Sequence, residues 1–256
     1  MSIYVKDKNG EIQKVGMVTN VGYDQAIDDM WDYIQCFGTR TSYGDFSRNM
    51  IFTKKNLKPK YNVVVTSAYN MFFGMPAIAD SKQIEEGLIV MKELEEEQGI
   101  VFDFSQCTNF DNAFRQCPFS ELNVIDVSKP STLNYTFYYS QNEKLPRFRR
   151  IERLIIGENT KFSSTFGYSS NIEHIGFEGL IAQNGLDLNW STKLDKESHI
   201  KLINALSSST SGLSVTLSKT AVNKAFETSS GANDGPTSSE WLNLIATKSN
   251  WTISLS

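Results

Sequence analysis

The chain has 256 residues, 40% of them hydrophobic and 21% charged, with a formal net charge of −4. This is enough apolar side chain for a core and too little charge for a disordered tail, and the acidic balance argues against a sequence-independent grip on nucleic acid. Three cysteines (Cys36, Cys107, Cys117) stand far apart without a CxxC, so neither a disulfide framework nor a zinc knuckle is expected.

The opening MSIYVKDKNGEIQKV is broken by charges where a secretory signal needs an apolar run. No stretch reaches the roughly 18–20 apolar residues of a membrane span. The expectation is synthesis in the cytoplasm, with any action outside following lysis or release in a particle.

Three zones follow in order. In residues 1–59, Ile3, Val5, Ile12 and Val15 flank Lys8-Asn9-Gly10, a hairpin signal because glycine accepts the positive φ of a tight turn. Ile27, Met30, Trp31 and Ile34 then fall at helical spacing. Asp24 is placed to cap that helix and Gly38 to end it. The stretch TRTSYGDFSRNM reads as an ordered loop.

Residues 60–182 hold a repeat. Three apolar triplets share one pattern: Leu122, Ile125, Val127; Ile151, Leu154, Ile156; Ile172, Ile175, Phe177. Earlier relatives lie at Phe102 and Phe104, and at Val63 and Val65. Between the strands a small or polar residue is followed by Phe-x-x-[Cys/Ser], as Ala113-Phe114, Thr136-Phe137 and Thr165-Phe166, with phenylalanines 23 and 29 residues apart. One strand and one turn cannot bury an apolar face alone, so the copies are expected to stack, with each Phe filling the space above its neighbour. Alternation turns Ile125 and Val127 inward and Asp126 and Ser128 outward, and Asp103 and Ser105 match them one copy earlier. A helix over SKQIEEGLIVMKELEEEQ is predicted to interrupt the ladder, with Ile84, Leu88, Met91 and Leu94 as its buried stripe and Glu93, Glu95, Glu96 and Glu97 on a solvated face.

Residues 183–256 read strand, helix, strand, helix, helix, strand. The apolar sets are Leu186 and Leu188; Ile200, Ile203, Ala205 and Leu206; Leu213, Val215 and Leu217; Val222, Ala225 and Phe226; Trp241, Leu244 and Ile245; and the closing WTISLS. Such alternation implies right-handed crossovers and parallel strands. This zone is expected to continue the ladder and cap its open end.

The Phe-x-x-Cys turns with short Leu/Ile strands resemble the BspA-type leucine-rich repeats of bacterial surface proteins. Taken with MWDYIQCFGTRTSY, AFRQCPFSELNVIDVS, IEHIGFEGLI, LDKESHIKLINALSS and the ending SVTLSKTAVNKAF…EWLNLIATKSNWTISLS, the chain resembles leucine-rich-repeat proteins encoded among tail and structural genes of phages and prophages of gut Firmicutes. Two of the three turns end in serine rather than cysteine. The resemblance implies an α/β, leucine-rich-repeat-like solenoid with a parallel strand ladder, an N-terminal hairpin-plus-helix attachment or capping unit and an α/β C-terminal cap. It implies a virion or tail location and contact with other tail proteins, and it implies no catalytic residue.

Chemistry-bearing motifs are sparse. There is no GxGxxG, Walker loop, GxSxG or HExxH. His174, expected to face outward beside Glu173 and Glu178, is read as a surface strand residue rather than a base or metal ligand. His199 sits in a helical first turn, structural or exposed. Cys107 and Cys117 are read as turn packing. Asp103 and Asp126 on adjacent coils offer paired carboxylates of glycosidase or cation-binding type, though any polar outer ladder supplies the same. The segment EKLPRFRR places Arg147, Arg149 and Arg150 around Phe148, with Tyr138 and Tyr139 upstream, and Tyr168 lies in the next turn. Arginine and tyrosine are frequent at interface hot spots.

The expectation is a non-enzymatic binding module with no cofactor or metal, recognising a bacterial cell-surface glycan or protein, without nucleic acid or membrane insertion and with self-association left open. Its candidate residues are Asp103, Asp126, Tyr138, Tyr139, Arg147, Phe148, Arg149, Arg150, Tyr168 and His174. The alternatives are an adhesin binding host or matrix proteins and a carbohydrate-active enzyme using the outward acids.

Overall fold

The computed structural model describes residues 3–6, 12–15, 63–71, 89–90, 102–117, 119–129, 131–138, 148–226 and 235–256. The helix expected over 24–38, the loop after it and residues Tyr139 and Arg147 lie outside these. The expected hairpin is present: β1 (Ile3–Lys6) pairs antiparallel with β2 (Ile12–Val15), Ile3 opposite Val15 and Lys6 opposite Ile12.

Every other strand pairing among the described residues is parallel. The chain is mixed α/β, with β3 (Val63–Val64), β4 (Ile89–Val90), β5 (Phe102–Asp103), β6 (Phe119–Val127), β7 (Thr132–Asn134), β8 (Arg150–Ile156), β9 (Lys161–Ser163), β10 (His174–Gly179) and β11 (Asp187–Leu188). Then come α1 (Lys196–Ala205), β12 (Leu213–Leu217), α2 (Lys219–Ala225), α3 (Ser239–Ala246) and β13 (Trp251–Leu255). Strands β10-β8-β6-β4 form one sheet in that order and β11-β12-β13 another, while β3 pairs with β5 and β7 with β9.

The central sheet is built on the apolar triplets. Leu122 lies beside Ile151 and Ile125 beside Leu154, and all four are buried. The third copy is aligned differently from the sequence expectation. Ile151 pairs with Ile175 rather than Ile172, and Leu154 with Phe177, with a register shift between Ile175 and Phe177. The apolar spacing alone favours the expected alignment, and the observed one needs the register shift because Ile175 and Phe177 are two residues apart where Ile151 and Leu154 are three. Gly176, inside the shift, distinguishes them: a Cβ there would lie 1.9 Å from the Glu152 carbonyl oxygen, so only glycine permits this approach.

The helix predicted over 81–98 is corrected at Ile89 and Val90, and its other residues lie outside those described. Ile89 and Val90 are strand and pair with Phe119 and Glu121 on the edge of β6. Leu88 to Met91 is an unbroken apolar run with two β-branched residues at its centre. Such a run satisfies the open backbone groups of a neighbouring strand, and helical spacing alone does not identify that partner.

Beyond the strands, successive turns stack on one another. Phe110 N–H donates to the Thr132 carbonyl (2.9 Å), Asn112 to Asn134 (2.9 Å) and Phe114 to Thr136 (3.0 Å). In the next layer Tyr135 donates to Ser163 (3.0 Å) and Phe137 to Thr165 (2.9 Å). The threonine before each of the later two phenylalanines adds a side-chain rung: Thr136 Oγ1 donates to the Phe110 carbonyl at 2.9 Å and Thr165 Oγ1 to the Leu133 carbonyl at 2.8 Å. Buried backbone carbonyls are thereby satisfied between turns. The rings of Phe114, Phe137 and Phe166 form a nearly parallel buried stack, with centroids 5.6 and 5.1 Å apart and Phe148 on Phe137 at 5.7 Å. Burial of each ring stabilises by about 1.5–3 kcal/mol.

The C-terminal zone does not extend the central sheet, contrary to the expectation. Helix α1 lies along the edge of β10, where Ser198 Oγ accepts from Ile175 N–H (2.8 Å) and Asp195 N–H donates to the Glu173 carbonyl (2.8 Å). Asp195 caps the helix by accepting from Ser198 N–H at 2.8 Å. At the other end Lys248 Nζ donates to the carbonyls of Asn204 and Leu206, which neutralises orphan acceptors of the last turn. A helix replaces the next strand because α1 offers both a hydroxyl for the strand's N–H and an apolar face of Leu202, Ile203 and Ala205. No helix among the described residues is long and apolar enough to cross a membrane.

Candidate binding surface

The same turns that bury phenylalanines push other aromatics outward. Asn112, Tyr135 and Ser164 each stand two residues before a stacked Phe and share a left-handed backbone, with φ of 56°, 54° and 48°. Tyr168 follows Phe166 by two residues with φ of 57°. A left-handed φ turns the chain sharply at each of these positions. Tyr135, Tyr168 and Trp190 are left 40%, 39% and 40% exposed, with Tyr138 half-buried between them.

These rings form one continuous stripe. Tyr138 meets Tyr135 edge to face at 5.2 Å and Tyr168 at 5.3 Å, and Tyr168 stacks on Trp190 at 4.4 Å. Arg115 lies at one end, its guanidinium 5.6 Å from the Tyr135 ring and 5.0 Å from that of Tyr138, while Nη1 donates to Asn112 Oδ1 at 3.1 Å. Gly167 makes room for Tyr138: a Cβ there would come within 2.8 Å of two ring carbons. The rings brace one another, so little side-chain freedom remains to be lost on binding.

The sequence-predicted residues distribute unevenly around this stripe. Tyr138 and Tyr168 belong to it. Arg149 is exposed, and Arg150 pairs with Glu152 at 2.7 Å at the start of β8. That contact is the main cause raising the guanidinium pKa and lowering that of the Glu152 carboxyl. Phe148 is a correction: it is core, 3% exposed, because an aromatic ring gains more from the Phe137 stack than from a surface loop. Asp103 and Asp126 each accept a hydrogen bond at 2.9 Å from the backbone two residues on, at Ser105 and Ser128. Both carboxylates therefore fold the chain at strand ends.

His174 is a second correction. It points away from Ile175 as alternation requires, yet it is buried beneath the N-terminus of α1. Its Nδ1 lies 2.8 Å from Asp195 Oδ2, and Ser198 Oγ donates to Asp195 Oδ1 at 2.6 Å. Burial alone would raise the Asp195 pKa, but hydrogen bonds from Ser198 and His174 outweigh it and hold the carboxyl below its usual range. Serine, histidine and aspartate meet here, but not as a nucleophile triad. Ser198 Oγ sits 3.5 Å from the same Nδ1 that faces Asp195, whereas general-base catalysis places them on opposite ring nitrogens. His199 is buried as well, its pKa lowered chiefly by desolvation, with Nδ1 2.7 Å from the Asp195 carbonyl.

Sequence reasoning misses Tyr135, Trp190 and Arg115. The signal for the first is positional: Tyr135 and Tyr168 flank the repeated phenylalanines at minus two and plus two. Trp190 lies beyond the last such phenylalanine, which hides it. Among the described residues no group of three His, Cys, Asp or Glu side chains is placed to hold a metal ion. Comparison with protein-family models, with curated proteins and with solved structures found no match for this chain.

Proposed function

We propose that the chain is a non-enzymatic binding module built as a leucine-rich-repeat-like solenoid, with the aromatic stripe as its recognition surface. The mutually braced set of exposed Tyr135, Tyr168 and Trp190 with half-buried Tyr138 carries this reading. Ordinary surfaces scatter large apolar residues singly, and a contiguous preordered stripe is characteristic of an interaction site. Parallel pairing of the central strands and layer-to-layer bonding of the turns support the solenoid part. The resemblance to tail-gene repeat proteins supports a role on a phage-derived tail particle that recognises a bacterial surface.

Co-sedimentation of the fluorescently labelled chain with intact Gram-positive gut bacteria tests the proposal. Saturable binding that Trp190→Ala and Tyr168→Ala each weaken by about tenfold or more is expected. Binding unaffected by either substitution, in variants that retain the wild-type melting temperature, refutes the stripe as the recognition surface.

A further inference from the structure

We infer that the stripe takes a neutral, hydroxyl-rich glycan, with sugar rings laid against its exposed aromatic surface; this rests on the binding-module reading above. Features of the stripe and of the chain select that class. The space between rings is closed: edge-to-face contacts at 5.2 and 5.3 Å leave no slot of the kind that aromatic-lined grooves offer to proline-rich peptides. The cation seat over Tyr135 and Tyr138 is already filled by Arg115, so a quaternary ammonium would have to displace a guanidinium of the same chain. Stacked nucleobases need a basic groove to carry their phosphates, and the chain has a net charge of −4. Beside the rings the exposed hydroxyls of Ser163 and Ser164 are able to meet sugar hydroxyls, while Asn112 accepts from Arg115 and Asn134 donates to Asp111 within the chain.

The test compares the sedimentation of the labelled chain with three preparations of the same cells: untreated, oxidised with periodate to open vicinal diols, and digested with proteinase K. Polysaccharide released from the walls is run in parallel as a soluble competitor. Periodate is expected to weaken binding at least about tenfold, protease to leave it intact, the polysaccharide to compete, and Trp190→Phe to retain binding that Trp190→Ala loses. Stripe-dependent binding that survives periodate and disappears with protease overturns the glycan class and leaves the binding-module reading standing. Absence of stripe-dependent binding to cells and to wall polysaccharide alike overturns both.

Discussion

Replacing Gly176 by alanine isolates the contact on which the alignment of β8 and β10 rests. The added Cβ would lie 1.9 Å from the Glu152 carbonyl oxygen and 3.0 Å from its carbon. Reaching even a close carbon–oxygen contact of about 3.3 Å requires the strands to part by roughly 1.4 Å. A ladder bond of ordinary length cannot survive that opening. Two flanking ladder bonds at about 1 kcal/mol each, with an overpacking cost of about 1–3 kcal/mol, give a destabilisation of about 3–5 kcal/mol. The urea midpoint of the full chain, followed by circular dichroism, should fall by at least about 1 M. Gly176 does not have a left-handed φ, so backbone strain does not contaminate the measurement. Gly212 supplies the opposite control, having φ of +74° and nothing within 4 Å of where a Cβ would stand. Alanine there should cost only about 1 kcal/mol, through the backbone alone. A Gly176→Ala midpoint within about 0.3 M of wild type, or a larger loss at Gly212, would refute the steric account.

Phe137→Ala removes the ring at the centre of the buried stack and should cost about 3–5 kcal/mol. Its melting temperature should drop by at least about 6 °C, with Phe137→Leu in between, and a drop below about 2 °C would contradict the packing described. Because the buried His199 imidazole has a pKa below its ordinary 6.5, the unfolded chain takes up a proton that the folded chain refuses. Urea midpoints should therefore fall as pH drops below about 6.5, and His199→Gln should flatten that slope. Asp195, held below its ordinary 3.8, adds a second loss only at more acid pH, which Asp195→Asn should reduce. Burial pushes the Cys107 and Cys117 thiols up to about 11 and about 12. Peptide mapping after iodoacetamide treatment at pH 7.5 should find both unmodified in the folded chain and alkylated after denaturation. Labelling of either in the folded chain would show that its burial is wrong.

What can be read from the sequence follows which forces are local. Leu122, Ile125, Ile151 and Leu154 announce their strands because alternation is a property of a single segment. The turn phenylalanines announce themselves by recurrence. Helices α1, α2 and α3 begin after Asp195, Ser218 and Ser238, each of whose side chains accepts a backbone N–H of the first turn. The differences are all long-range. Strand β4 is hidden because helical spacing in one segment says nothing of the unpaired edge of β6. His174 escapes because alternation assigns a side but not whether a helix covers it. Phe148 escapes because arginines on both sides disguise a ring whose partner lies in another turn. The stripe is half legible: Tyr138 and Tyr168 stand out as aromatics, while Trp190 is brought beside Tyr168 only by the folding of residues 169–189.

The phenylalanine stack keeps nearly constant ring separations although its members are 23 and then 29 residues apart in the chain. The six additional residues before Phe166 therefore leave the packing period untouched. Length between one turn and the next strand is a free parameter of this architecture, since loop closure grows only slowly costlier with length. The scaffold thus absorbs a difference of six residues between successive copies without moving its aromatic spine.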